Sequence, residues 1–304
     1  MMNKVQQDML YEIAGIRAAP AGAYNIRMNG GSIGCGGNEN VSINLKAGGM
    51  DIVVKPGTKG EVVHIPVVIS STGLVETVYN DFYIGEDADI TIIAGCGIHN
   101  PGDAQSQHDG VHSFHLERGA RVRYVEKHTG AGDGNGKRVL NPVTVCDMGP
   151  GSYMEMDTEQ IRGVDSTKRV TKGVIGQGAT LVVKEKLMTH GVQYAETVFE
   201  VDLDGADSSA NVMSRSVAKG DSRQVFLSRI SGNAKCMGHS ECDAIIMDNA
   251  SVQAIPEITA NHVDAALIHE AAIGKIAGEQ IVKLRTLGLS EAEAEAQIIN
   301  GFLK

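Results

Sequence analysis

One local pattern recurs through the middle of the chain: turn residues, then Ala or Ser, then alternating apolar positions. It runs Gly85-Glu86-Asp87-Ala88 before Ile90 and Ile92, Arg118-Gly119-Ala120 before Val122 and Tyr124, and Gly149-Pro150-Gly151-Ser152 before Met154 and Met156. Gly176-Gln177-Gly178-Ala179 before Leu181 and Val183 follows, then Asp204-Gly205-Ala206 and Gly232-Asn233-Ala234. The Ala/Ser markers at 88, 120, 152, 179, 206 and 234 lie 32, 32, 27, 27 and 28 residues apart. A unit of this size, made of strands and tight turns, must stack on its neighbours to bury its apolar face, which predicts a β-solenoid. Composition agrees: with 37 glycines, 4% aromatics and no tryptophan, the chain turns often and fills a thin core with Val, Ile, Ala, Met and Leu. A propeller would need longer repeats and more aromatics. An antiparallel sandwich would show the same turn-then-alternation and is the competing architecture on pattern alone.

The ends differ from the middle. Met2 to Arg17 places Met9, Ile13 and Ile16 on one side of a short helix, and Met28 to Asn40 reads as a glycine-rich loop. Gly278 to Leu287 puts Ile281, Leu284 and Leu287 on one helical face with Gly288 placed to end it. Ser290 and Glu293 have capping-box spacing, opening a second helix with Ala292, Ala296, Ile299 and Leu303 as its stripe. These helices either cap the open end of the solenoid, the first expectation because an open coil exposes unpaired edges, or face a partner. Three parts follow: residues 1–40, an N-terminal helix and loop; 41–260, the β-helix core; 261–304, a helical segment.

At 304 residues the chain is long enough for a full core. A formal charge of −10 argues against nucleic acid, whose binding needs clustered Lys and Arg. No apolar run approaches the roughly 18 residues of a membrane span. Gln6, Gln7 and Asp8 stand where a secretion signal would be apolar, and five irregularly spaced cysteines fit a reducing compartment, so a cytoplasmic location is expected.

Three clusters could carry chemistry. Cys96, His99, His108, His112, His115 and His128 are ligand types for zinc, iron or copper, but their spacing fits no standard zinc template. Scattered surface histidines are the plainer reading, and in a strand His112 and His115 would face opposite ways. Cys236, His239, Glu241 and Cys242 form the second cluster; strand alternation puts Cys242, Ala244 and Ile246 on one face, where cysteines are ordinary core residues. The third is His269-Glu270, whose side chains diverge in a strand. No P-loop, nucleophile elbow or HExxH is present.

The last third carries a resemblance. Cys242-Asp243-Ala244-Ile245-Ile246, Ile255-Pro256-Glu257-Ile258, His269-Glu270-Ala271, Gln280 to Leu289 and Ala294 to Gly301-Phe302 occur in the order of the SufB/SufD family, components of the SUF iron–sulfur cluster assembly machinery. The resemblance implies a right-handed parallel β-helix with a C-terminal helical part that docks the ABC-type ATPase SufC. It implies a dimer, of two copies or with a SufB/SufD-type paralogue. It places Cys242 at the cysteine implicated in cluster assembly, and His269 and Glu270 at the His-Glu positions near the subunit interface. Leu287-Gly288 stands where the family has Arg-Gly, and the usual N-terminal helical region has almost no room.

The function expected is a non-enzymatic scaffold or scaffold subunit that holds an iron–sulfur cluster transiently on Cys242, His269 and Glu270, driven by a separate ATPase. A lone thiolate with one or two weaker ligands is too few for a cluster, so Cys242 and His269 of opposite subunits are expected to face each other across a two-fold axis. The alternatives are a β-helix carbohydrate lyase or hydrolase, which the absence of tryptophan disfavours, and a purely structural partner of the ATPase.

Overall fold

The structure, a computed structural model, describes residues 2–304. Helix α1 (Lys4–Ala14) opens on Asn3, whose side chain accepts from the Gln6 amide, and closes on Gly15 at φ 69°. Strands β1 (Ala23–Met28) and β2 (Gly31–Gly36) form an antiparallel hairpin. Its two-residue turn, Asn29-Gly30, has φ of 48° and 86°, the geometry such hairpins require. The glycine-rich segment expected as a loop is therefore largely a strand. A second hairpin joins β3 (Val41–Lys46) and β4 (Gly49–Val54).

From here the chain winds. The strands are β5 (Lys59–Ile69), β6 (Val75–Ile84), β7 (Asp89–His99), β8 (Ser106–Leu116), β9 (Arg121–Ala131), β10 (Arg138–Leu140), β11 (Val143–Met148), β12 (Tyr153–Arg162), β13 (Ser166–Ile175) and β14 (Thr180–Thr189). Then come β15 (Tyr194–Leu203), β16 (Ser208–Ala218), β17 (Arg223–Gly232), β18 (Cys236–Ile246), β19 (Ser251–Ala260) and β20 (Ala265–Gly274). Two parallel sheets result. One runs β1-β5-β7-β9-β12-β14-β16-β18-β20; the other runs β4-β6-β8, then β10 and β11, then β13-β15-β17-β19. This is a parallel β-solenoid of about eight turns.

The repeat in the sequence is the pitch of this winding. Each Ala/Ser marker precedes a strand of the first sheet, and the first four stack on one another. The amides of Arg121, Tyr153, Thr180 and Ser209 donate to the carbonyls of Ala88, Ala120, Ser152 and Ala179 at 2.7, 2.8, 2.9 and 2.9 Å. Ala88, Ala120, Ser152 and Ala179 are buried at the corner, which requires a small side chain; in the next two coils Ser208 and Cys236 take that place, two residues after the markers Ala206 and Ala234. The longer 32-residue coils carry the extra loops between β7 and β8 and between β9 and β10.

Inward side chains of both sheets form one continuous core, in which Phe82 stacks on Phe114 at 4.3 Å and Phe114 meets Tyr124 edge-on at 5.2 Å. Helix α1 covers the outer face of the first sheet near its start through Met9, Leu10 and Ile13. Gly97 admits it: a Cβ there would lie 3.0 Å from Met9 Cγ.

Helices α2 (Gly278–Thr286) and α3 (Glu291–Phe302) depart from the capping expectation. Helix α3 opens with the expected Ser290–Glu293 capping box. It lies along the outer face of the first sheet, where Ile299 and Leu303 pack on Val217 with Met188 and Ile245 alongside. Ala294 is buried, whereas Ala292 and Ala296 are exposed. No residue of α2 is fully buried, and Leu287 is 72% exposed. The far end of the solenoid, β19 and β20, is left uncovered. The solenoid also runs past residue 260 to Gly274, so the helical part begins at Gly278.

Candidate functional site

The strand alternation read from sequence holds at the last two coils of the first sheet. On β18, Cys236, Cys242 and Ala244 point inward and are buried. Six residues of strand separate the two cysteines by roughly 20 Å, so they cannot share one site. On β20, His269 points inward and is half-buried, whereas Glu270 points outward, 3.5 Å from the outward-facing His239. Ser240 is in register with His269, and Cys242 with Ala271. Cys242 and His269 thus lie on one inner face of neighbouring strands, two residues out of line, roughly 8 Å apart at their Cα atoms. Glu270 is on the other face.

In the single chain Cys242 stands where strand alternation put it, among core residues and not at the surface. Cys242 is 1% exposed and belongs to the core. Burial, then the negative charges of Glu185 and Asp243, push its thiol up to about 12, so it is protonated at neutral pH. His269 is lowered by burial first and then by His239. Its Nδ1 is buried with no hydrogen-bond partner among the described residues. Beyond β20 no strand follows: β20 pairs with β18 and β19 with β17, and their other edges are unpaired among the described residues. Ala271 and Ile273, on the inner face of β20, are exposed. Here the interior of the solenoid opens onto the surface.

The histidine-rich segment is corrected as well, because it is no scatter of surface residues. It forms β8, and His108 and His112 point inward at 6% and 8% exposure, while His115 faces out and stacks on Tyr83. Across from them on the first sheet, Cys96 is in register with His128, both inward and buried. With Glu126 they line one small interior chamber. Burial pushes His112 down to about 4. Burial alone would raise Glu126, but Arg169 and then His128 outweigh it and hold the carboxyl well below the usual carboxylate range.

Polar groups continue from this chamber along the interior. Arg169 pairs with Glu126 and reaches Glu185 at 3.7 Å; Glu185 accepts from Thr197 at 2.9 Å and from Ser214 at 2.7 Å; Ser240 donates to Ser228 at 2.8 Å. Among the described residues, no three His, Cys, Asp or Glu side chains already stand in a metal-coordinating arrangement. No helix among them is long and apolar enough to cross a membrane.

A family model described as "SUF system FeS cluster assembly, SufBD core domain" matches residues 69–302. The chain belongs to the SufBD family. It is 28% identical over 260 residues to an iron–sulfur cluster assembly SufBD family protein of Methanothermobacter thermautotrophicus, covering 84% of this chain and 62% of that protein. A protein of the same description from Archaeoglobus fulgidus is 28% identical over 231 residues, 75% of this chain and 61% of the relative. MJ0034 of Methanocaldococcus jannaschii, also described as a SufBD family protein, is 24% identical over 258 residues, 83% and 79% respectively. The chain thus spans about three-fifths of the length of the first two of these relatives.

Within the SufBD core the interior Glu126, Arg169 and Glu185 were missed in the sequence, although a signal was there. Val122, Tyr124, Glu126 and His128 share one strand parity, and so do Arg169, Gly173 and Ile175. Where the apolar members of such a row face inward, its charged members do too.

Proposed function

We propose that this chain is a scaffold subunit for iron–sulfur cluster assembly, with the cluster as transient cargo at the uncovered last coil. The observation that carries the reading is the opening of the solenoid interior at β20. An inward histidine with an unpartnered ring nitrogen lies one strand from an inward cysteine, at an edge free to pair with another chain. One chain supplies too few ligands: Cys242 gives a thiolate only after losing its proton, His269 gives a nitrogen, and Glu270 lies on the outer face. A second copy or a SufB/SufD-type paralogue, docked on the β19 and β20 edges, would complete the set and cover the edges. The chain contains no P-loop, so work would come from a SufC-type ABC ATPase, docked on α2 and α3, where Val282 and Leu287 expose apolar surface. The role is that of a cytoplasmic assembly scaffold with no catalytic activity of its own.

Anaerobic reconstitution with ferrous iron and sulfide tests this. Wild-type protein should take up both and absorb in the sulfur-to-iron charge-transfer region. Cys242→Ser should lose the absorption, and His269→Gln should bind the cluster more weakly. Full loading of Cys242→Ser would refute the assignment and leave a purely structural partner of the ATPase as the better reading.

A further inference from the structure

We propose that the interior chamber between β8 and the first sheet is a second metal site, taking one soft or borderline transition ion on His108, His112 and Cys96. Cys96 on β7 stands five strand spacings, roughly 24 Å, from Cys242 on β18, so the chamber is independent of the last coil.

The chamber exists because position 110 has no side chain. His108, Gly110 and His112 all face inward on β8, and the glycine leaves a gap between the rings. A Cβ on Gly110 would lie 3.4 Å from His108 Nε2 and 3.4 Å from His112 Nε2, so both nitrogens face the same gap. Cys96 lines the same chamber, which has room for about one water-sized guest. The strand pairing with β8 on one side is broken between β10 and β11, at Asn141 and Pro142, and Pro142 lines the chamber.

Hydrogen bonds fix both rings as ligands. His108 Nδ1 lies 3.0 Å from the Glu76 carboxylate, which can only accept, so Nδ1 carries the proton. Tyr124 spends its one hydroxyl proton on Glu126 at 2.8 Å, so it must accept from His112 Nδ1 at 2.7 Å. Each Nε2 is therefore left with a bare lone pair, and neither makes a hydrogen bond among the described residues. A carboxylate behind a histidine, directly or through a tyrosine, is the support that metal-ligating imidazoles usually have. His128 is excluded: its Nδ1 accepts from Arg169 at 3.2 Å and its Nε2 faces Glu126. No third donor is yet at coordination distance. Cys96 must turn toward the ion, releasing its thiol proton to solvent as the sulfur–metal bond forms. Two imidazoles and one thiolate favour zinc, cobalt(II), iron(II) or copper(I) over magnesium or calcium.

The test is an anaerobic cobalt(II) titration of the full chain, purified with chelator and then freed of it. Wild-type protein and Cys242→Ser should each bind one cobalt per chain, with ligand-field and sulfur-to-cobalt absorption. Gly110→Ala should fold, since its methyl group meets only the two ring nitrogens, yet bind roughly tenfold or more weakly because it fills the seat. Cys96→Ser should keep the ion and lose the sulfur-to-cobalt band. Wild-type affinity in Gly110→Ala, or loss of the band in Cys242→Ser alone, would overturn the assignment. An unchanged band in Cys96→Ser would do the same.

Discussion

The interior ion pair gives the sharpest stability prediction. Arg169 is buried and is the cation between two buried carboxylates, Glu126 in direct contact and Glu185 at 3.7 Å. Replacing it with methionine keeps the chain length and removes the charge. At an effective dielectric of about 20, one ion pair near 4 Å is worth about 4 kcal/mol. Removing one partner of a buried pair typically costs about 3–5 kcal/mol, because the other charge stays buried. Arg169→Met should therefore lose about 3–5 kcal/mol at neutral pH, measured by urea unfolding with chelator present.

The pH dependence gives the prediction its sign. In the native chain Glu126 titrates below its unfolded value, so its contribution is present above that value and lost as pH falls through the folded one. Without Arg169 burial raises the same carboxyl, and the folded state takes up a proton that the unfolded state has released. The gap between the two proteins should then shrink between about pH 7 and about pH 5. Because each coil touches only its neighbours, faster hydrogen exchange should centre on β9 and β12–β14 and leave β19 unchanged. A cost below about 1 kcal/mol, or an equal gap at both pH values, would show that Glu126 is neutral or hydrated and refute the reasoning.

Two further outcomes follow from the packing. Gly130→Ala would place a methyl carbon 1.9 Å from the Gly163 carbonyl oxygen, a backbone atom that cannot swing aside. It should cost about 1–3 kcal/mol by the same unfolding assay; an unchanged midpoint would mean that β9 and β12 separate freely there. Deleting residues 278–304 should abolish co-purification of the ABC ATPase while circular dichroism still reports the solenoid, since the core does not depend on α2 or α3; undiminished co-purification would place docking elsewhere.

What the sequence revealed depended on local rules. The markers at 88, 120, 152 and 179 were readable because those coils repeat the same buried corner, and the Ser290–Glu293 box because capping is fixed by residues three apart. The order of motifs from Cys242 to Phe302 carried the family. That His269 and Glu270 face opposite ways followed from parity alone. The inward face of Cys242 followed from the same parity, but its neighbours, Ser214 on one side and Ala271 on the other, did not, since sequence spacing does not bring those coils together. The path of α3 was hidden for the same reason. Nothing in Ile299 or Leu303 distinguishes packing against Val217 from closing the last coil. The chamber was closer to legible: Phe114 and Leu116 share parity with His108 and His112, but glycine at 110 and the helix-like spacing of the histidines obscured the strand.

The central claim is that the last coil holds its cargo between two chains. Hydrogen exchange of the β20 amides, followed with solution mass before and after anaerobic loading with iron and sulfide, tests it most directly. The account predicts that loading doubles the mass and slows exchange along Ala265–Gly274, as its open edge becomes paired. A loaded protein that keeps the mass of one chain, with β20 exchanging as fast as before, would contradict it.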